Sequence, residues 1–448
     1  MHRSCDLILI AIGMGIWRPS ARRAIGLSVP SPSAHKPNTL RAFHFHPWPN
    51  SLLALCLPQP VSILLTCCAI ALLLFFPSNI FAQPAAKIVL GATQLDILLP
   101  KLKSQRVALL VNQTSTLGKT HLVDTLFHSG VNIKKIFSPE HGFRGNADAG
   151  EKVKDGIDAN TNLPIVSLYG TNKKPSAEQL ADIDVVIFDI QDVGTRFFTY
   201  ISSLHYLMEA CAEQKKKVIV LDRPNPNGSY IDGSVLDLSL KSFVGMHPIP
   251  IVHGLTVGEL AQMINGEGWL DAKIKCELEI VSMKSYTHQS SYHLPIKPSP
   301  NLPNDQAVSL YPSICLFEGT ALSVGRGTPH PFEWIGHPDL KNQPFQFTPI
   351  SIEGMAKNPP LENKICYGLD LSHENIGKEV SLKHLIKLYQ QFPDKEKFFI
   401  PFFDKLVGNK LVREQIKKGM TETQIKATWK NELDAYKTMR KKYLLYPN

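Results

Sequence analysis

The chain has 448 residues, of which 44% are hydrophobic, 19% charged and 8% aromatic, with 33 Pro and 28 Gly. This is globular composition at a length suited to two or three domains, which excludes disorder, a collagen and a polytopic membrane protein as the main state. The net charge of +9 is uneven: residues 1–82 carry six basic side chains (Arg3, Arg18, Arg22, Arg23, Lys36, Arg41) against Asp6, and the remainder, with 42 basic and 38 acidic residues, has no electrostatic footprint for nucleic acid.

No charged residue occurs from Ala42 to Ala86, and within that stretch Val61 to Phe76 is an apolar run of 16 residues. A transmembrane helix needs roughly 20. The run suits a secretory signal with cleavage after Ile80-Phe81-Ala82, an uncleaved anchor being the alternative. Residues 1–50, rich in Pro, Ser, His and Arg, sit far upstream of an ordinary signal and suggest a misplaced start site. Residues 1–82 are therefore expected to lie outside the fold, and the protein to be exported, periplasmic or extracellular, touching a membrane only through this segment. Cys211, Cys276, Cys315 and Cys366 are widely spaced in the rest, without a Cys-x-x-Cys pair or a Cys/His cluster. Buried thiols are expected, and neither a metal site nor a cofactor.

From Lys87 onward, apolar β-rich runs alternate with helical patterns. Strands are expected at Arg106 to Val111, Asn132 to Phe137, Ile165 to Tyr169, Val185 to Ile190 and Val218 to Leu221, with helices near His121 to Ser129, Ala177 to Ala181 and Tyr200 to Gln214. The alternation predicts a parallel sheet covered on both faces, a Rossmann-like α/β domain. A helix at Gly258 to Asn265 and a strand at Leu278 to Met283 continue it. A smaller α+β domain is expected from residue 286 to 448, opening with the Pro-rich Lys297 to Pro303, and leaving 83–285 to the sheet.

Each expected strand ends in a polar cluster. These are Asn112-Gln113-Thr114, Ser138 to Gly142, Tyr169-Gly170, Gln191 to Gly194 with Arg196, and Asp222 to Pro226. Strand C-termini of an open parallel sheet share one edge, where ligands bind, so five clusters converge on one crevice. Turn chemistry explains any one of them equally well. There is no G-x-G-x-x-G after the first strand, no Walker loop, no H-E-x-x-H and no G-x-S-x-G, which removes dinucleotide enzymes, NTPases, common zinc proteases and α/β-hydrolases.

What remains is rich in carboxylates. Glu140 follows a buried strand and is a candidate proton donor; capping a helix or pairing with Arg144 is its structural alternative. Asp189 and Asp192 could position a substrate amide or a water, or bind backbone N–H groups of their own turn. His141 is a candidate hydrogen-bond donor or a structural histidine. Arg326, between Gly325 and Gly327, offers an anion cradle or a solvated tight turn.

The strings Phe137 to Gly145 (FSPEHGFRG), Ala149 to Glu151 (AGE), Leu163 to Gly170 (LPIVSLYG), Phe188 to Ser202 (FDIQDVGTRFFTYIS), Leu221 to Gly228 (LDRPNPNG), Pro298 to Asn304 (PSPNLPN), Leu316 to Thr328 (LFEGTALSVGRGT), Phe403 to Asn409 (FDKLVGN) and Lys442 to Tyr446 (KYLLY) closely resemble the exo-β-N-acetylmuramidases of the NamZ type. The resemblance runs through nearly all of residues 88–446. It departs at Thr161-Asn162-Leu163-Pro164, where a Gly is expected before Leu-Pro, and at His330 and His337. It implies a Rossmann-like domain and a smaller C-terminal domain with the active site between them, and release of N-acetylmuramic acid from non-reducing ends of peptidoglycan fragments. On that reading Glu140, Asp189 and Asp192 are the catalytic candidates, and His141, Arg144, Glu151, Tyr169, Gln191, Arg196, Asn225, Glu318 and Arg326 the substrate-binding ones. Arg196 and Arg326 are the candidate cations for the lactyl carboxylate, and Asp189 or Asp192 would orient the 2-acetamido group. Retention, inversion and substrate assistance stay open, as does oligomeric state. A non-hydrolytic amino-sugar binding protein, or a transferase or esterase on the same sheet, are the alternatives.

Overall fold

The computed structural model describes residues 87–140, 142–144 and 155–448. The candidate signal Val61 to Phe76 and the site candidates His141 and Glu151 therefore lie outside the described residues. Among those described, no helix is long and apolar enough to cross a membrane.

The described residues from 87 to 448 form one compact unit. Its first part contains β1 (Val107–Val111), the hairpin β2 (Thr116–Leu117) and β3 (Thr120–His121), β4 (Ile133–Ser138), β5 (Gly156–Ile157), β6 (Pro164–Ser167), β7 (Val185–Asp189), β8 (Lys217–Leu221) and β9 (Glu277–Val281). Seven of these make a sheet ordered β5-β6-β4-β1-β7-β8-β9. All neighbours are parallel except the edge strand β5. Without β5 this is the doubly wound order, with a switch point where the chain leaves β4 and β6 on one side of β1 and returns to β7 on the other.

The strands read as unbroken apolar runs because both faces are covered. Val107, Leu109 and Val111 pack with Leu98, Leu102, Leu122 and Leu126 on one face, whereas Ala108 and Leu110 belong to the larger core that includes Leu204, Leu207, Leu260 and Ile264 on the other. That alternation is the two-residue period of a strand, with helices Leu95–Leu102 and Leu122–His128 on one side and Tyr200–Glu213 and Val257–Gly266 on the other. Cys211, Cys276, Cys315 and Cys366 are buried free thiols.

The smaller C-terminal part has β10 (Trp334–His337), β11 (Phe345–Phe347) and β12 (Cys366–Asp370) in an antiparallel sheet ordered β10-β12-β11, followed by short helices from Lys383 to Arg440. It begins with helix Asp305–Ile314, capped by the Asn304 side chain, which accepts from Ala307 N at 2.8 Å. Pro312 lies inside this helix and offers no N–H to Val308 four residues back. Asn227 Nδ2, from the loop after β8, donates to that Val308 carbonyl at 3.3 Å, so a defect in the helix becomes a tie between the two parts.

The C-terminus returns to the parallel sheet. Tyr446 Oη donates to Asp222 Oδ2 at 2.6 Å and accepts from Met283 N at 2.9 Å, and Leu445 N donates to Glu259 Oε1 at 2.8 Å. Asp222, fully buried at the end of β8, also accepts from Thr256 Oγ1 and Gly258 N. Burial pushes its pKa up to about 6, against those donors.

Candidate active site

The switch point is where a ligand is expected, and the protein fills it. Asp189, at the end of β7 and fully buried, is gripped by Arg223: Nε reaches Oδ1, and Nη2 reaches Oδ2 at 2.8 Å. Thr114 Oγ1 donates to Asn112 Oδ1 at 2.6 Å and accepts from Gln191 N at 3.0 Å. Gln191 Nε2 donates to the Pro224 and Asp192 carbonyls. Asp192 Oδ2 accepts from Gly194 N at 2.7 Å, which is turn chemistry, and Asn225 Nδ2 donates to Leu255 O at 2.8 Å. None of Asp189, Gln191, Asp192 and Asn225 lines the pocket described below.

Arg196 is likewise not available to a ligand. Its guanidinium is fully buried and donates to four backbone carbonyls, Nη1 to Ser234 and Ile249, and Nη2 to Leu406 and Val407, at 2.7 to 2.9 Å. Burial lowers its pKa to about 9, so it stays cationic at neutral pH and binds two distant segments together. Gly408 sits against it with φ +71°, and a Cβ there would lie 2.3 Å from Nη2, which accounts for glycine in the Phe403 to Asn409 string. Arg144 is also committed, with Nε and Nη2 on Asp158 at 2.9 Å each and Nη2 on Asp124 at 3.1 Å.

The open pocket lies beside the switch point, at the end of β4. It is a cavity of about 160 Å³ lined by Glu140, Phe197, Phe198, Thr199, Tyr200, Val244 and Ser299 from the first part and Tyr311, Glu318 and Arg326 from the second. Glu140 Oε1 accepts from Tyr169 Oη at 2.8 Å and Oε2 from Thr199 Oγ1 at 3.2 Å, while Tyr200 Oη reaches its carbonyl at 3.4 Å. Its partners are hydroxyls, which can turn to accept when the carboxyl carries a proton. Burial, with the Glu140 charge beside it, pushes the Tyr169 hydroxyl up well beyond its ordinary value, and burial does the same for Tyr200.

Across the cavity, Arg326 Nε donates to Glu318 Oε1 at 2.7 Å and its guanidinium lies over the Phe332 ring at 5.1 Å. Burial opposes the Arg326 charge, but Glu318 more than offsets this and holds its pKa above the ordinary value. Gly325 and Gly327 have φ of +76° and +78° and face His330 O and Ile350 O so closely that a Cβ would collide. These glycines therefore serve a compact turn that aims Arg326 inward, rather than an open backbone cradle. Tyr311 packs edge-on against Phe197, Phe198 and Phe332, with centroids 5.2, 6.1 and 4.9 Å away.

Of the sequence candidates, Glu140, Tyr169, Glu318 and Arg326 thus come together. Thr199, Tyr200, Phe197, Phe198 and Tyr311 were missed as site residues, although four of them lie in the Phe188 to Ser202 string. A second cleft of about 250 Å³, lined by residues that include Ser290, Tyr292, His293, Asp305 and Lys378, has a His293–Asp305 pair in the open and no strand-end carboxylate.

An α/β enzyme with its candidate proton donor at the C-terminal edge of a doubly wound sheet, and a guanidinium–carboxylate pair facing it from a smaller domain, is the class this architecture defines. The family models described as exo-β-N-acetylmuramidase NamZ match residues 107–306 (N-terminal) and 309–446 (C-terminal). The chain belongs to that family. It is 38% identical over 382 residues to a Bacillus subtilis protein named peptidoglycan β-N-acetylmuramidase NamZ, covering 79% of this chain and 91% of that one. Two crystal structures of DUF1343 family proteins from Bacteroides fragilis are similar, with TM-scores of 0.76 and 0.70 and identities of 48% and 29%, each covering 81% of this chain and 100% of the other.

Proposed function

We propose that this protein is an exo-acting glycosidase that releases N-acetylmuramic acid from the non-reducing end of peptidoglycan fragments, in cell-wall turnover. The observation that carries the reading is Glu140 facing the Arg326–Glu318 pair across one small pocket, in a chain of this family. Glycoside cleavage needs a proton for the leaving oxygen and stabilisation of an oxocarbenium-like transition state. Glu140 supplies the proton, because among the described residues its side chain is held by hydroxyls, whereas Glu318 is tied to a cation. Arg326 uses only Nε on Glu318, and its two outer nitrogens meet the lactyl carboxylate. Asp189 and Asp192, committed to Arg223 and to Gly194 N, leave the task of orienting the 2-acetamido group to Glu318.

Export belongs to the same proposal, since peptidoglycan lies outside the cytoplasmic membrane and Val61 to Phe76 has the length and flanks of a signal. N-terminal sequencing from a native host should then begin near Gln83; full-length chain in the cytosol refutes it. The activity is tested by incubating the mature protein with a chromogenic N-acetylmuramic acid glycoside and its N-acetylglucosamine analogue. Release from the first well above the second is expected, and binding of both without hydrolysis overturns the glycosidase reading.

A further inference from the structure

We propose that Phe332 is a positioning residue for substrate selection: its ring, set behind the pocket wall by a backbone that a bulky residue adopts only under constraint, aims Arg326 at the carboxylate of the incoming sugar. This rests on the glycosidase reading above and deepens it, from which group binds the lactyl carboxylate to what fixes that group in place.

The loop that carries Arg326 is closed on itself. Ser323 and Gly336 exchange backbone bonds, Ser323 N to Gly336 O at 2.8 Å and the reverse at 3.0 Å, so the chain between them leaves and returns at one point. Within it, His330-Pro331-Phe332-Glu333 is a tight turn, with Glu333 N donating to His330 O at 3.2 Å. Pro331 suits the second position of such a turn, and a positive φ at the third ordinarily selects glycine or asparagine. Phe332 occupies that third position with φ +62° and is 1% exposed. A bulky side chain in the left-handed region is held there by its surroundings. They grip it on both sides. Phe332 N donates to Val324 O at 2.7 Å, and the buried Glu333 next to it accepts from Asn304 Nδ2 on Oε1 at 2.7 Å and meets His330 Nδ1 with Oε2 at 2.9 Å. The His330 ring stacks on Trp334, with centroids 4.4 Å apart. His330, a point of departure from the family strings, is thus part of this clamp. Asn304 also caps the helix Asp305–Ile314, which carries Tyr311, so the clamp extends to a second wall of the pocket.

What the strained turn delivers is the ring. It lies edge-on to Tyr311 at 4.9 Å and beneath the Arg326 guanidinium at 5.1 Å, and both of those side chains line the pocket whereas Phe332 does not. A cation within about 6 Å of an aromatic face is attracted to it. Among the described residues Glu318 holds Arg326 through Nε. One hydrogen bond leaves the guanidinium plane free to swing about it, and the Phe332 face removes that freedom. A glycine would make the same turn without strain and leave the plane unsupported.

The deciding quantity is the ratio of kcat/KM on a chromogenic N-acetylmuramic acid glycoside to that on its analogue without the lactyl carboxylate. Phe332→Leu keeps an apolar side chain but has no π face, and should lower the ratio by about 2- to 30-fold, the size of a cation–π contact. Phe332→Tyr, which keeps the ring, should hold it. In an Arg326→Ala background Phe332→Leu should change the ratio no further, because the ring acts through the guanidinium. A ratio does not depend on the fraction of molecules folded, so a destabilised variant still gives the reading. Should Phe332→Leu yield no folded protein, Phe332→Met, whose flexible chain fills irregular space, takes its place. An unchanged ratio in the ringless variant, an equal fall in Phe332→Tyr, or a fall that persists at full size without Arg326 overturns the proposal. Absence of any hydrolysis by the unmodified chain overturns the glycosidase reading instead, and binding then supplies the ratio. Calorimetric affinity for N-acetylmuramic acid relative to N-acetylglucosamine should fall by the same factor in Phe332→Leu and stay in Phe332→Tyr; an unchanged preference in both refutes the role of the ring.

Discussion

Two polar regions lie along the C-terminal edge of the same sheet, and they have opposite characters. At the switch point, Asp189, Gln191 and Asn225 are hydrogen-bonded by the chain itself, to Arg223, Pro224 and Leu255, while Asp192 accepts from Gly194 N through Oδ2 and its buried Oδ1 has no partner among the described residues. At the end of β4, Glu140 and Arg326 face a cavity with part of their hydrogen-bonding capacity unspent. The general rule that ligands sit at the switch point names the right edge, but the chain has supplied its own occupant there. What marks a site is therefore the direction in which a polar group is left unsatisfied, and strand-end position alone does not reveal it.

Substitution can break that contrast in order of expected effect. Glu140→Gln should lower turnover by roughly 10²- to 10⁴-fold, the usual general-acid contribution, with an unchanged denaturation midpoint. Wild-type turnover removes Glu140 from the chemistry. Arg223→Met, at the filled end, should do the reverse: it leaves Asp189 charged and buried, at a cost of about 3 to 5 kcal/mol of stability in a denaturant titration. Activity per folded molecule should stay within a few-fold, and a large loss with unchanged stability would put the Asp189–Arg223 pair into the mechanism.

Arg326→Ala should lower kcat/KM on muramic substrates by about 10- to 150-fold, corresponding to charge-assisted hydrogen bonds of roughly 1.5 to 3 kcal/mol. The penalty should be smaller on an analogue without the lactyl carboxylate; an equal loss on both shows that Arg326 only braces Glu318. The smallest effect sharpens the comparison at Asp222. Its carboxyl binds a proton more readily folded than unfolded, with a pKa near 6 against an ordinary 3.8, so its contribution to stability grows as pH falls from 6 toward 4. Between pH 7 and pH 5 it should add about 1 kcal/mol. Asp222→Asn should lose that increment, and an identical pH slope in the variant shows that another group carries it.

The parallel sheet was legible because buried strands advertise themselves as apolar runs: β1, β4, β7 and β8 fall within a residue of the expected bounds. Helix Asp305–Ile314 was not, since Pro312 reads as a breaker until Asn227 is seen to take the freed carbonyl. Asn162 is a milder case. It has φ +58° where a glycine was expected, and asparagine is among the residues that tolerate the left-handed region. In the site, Glu140, Tyr169, Glu318 and Arg326 could be picked out by type and neighbourhood. Arg196 could not be told from Arg326, because its acceptors at Leu406 and Val407 come 210 and 211 residues later. Partners so distant in sequence leave no local trace.

The bond between Tyr446 and Asp222 spans 224 residues and joins a segment made late to the end of a central strand made early. A nascent chain that has finished β8 holds a carboxylate whose hydroxyl partner does not yet exist, and Glu259 likewise waits for the Leu445 amide. Closure of the parallel domain thus waits for a segment made more than two hundred residues later, and contacts of such long range slow folding. Tyr446 is in this sense the fastener of the domain that was made first.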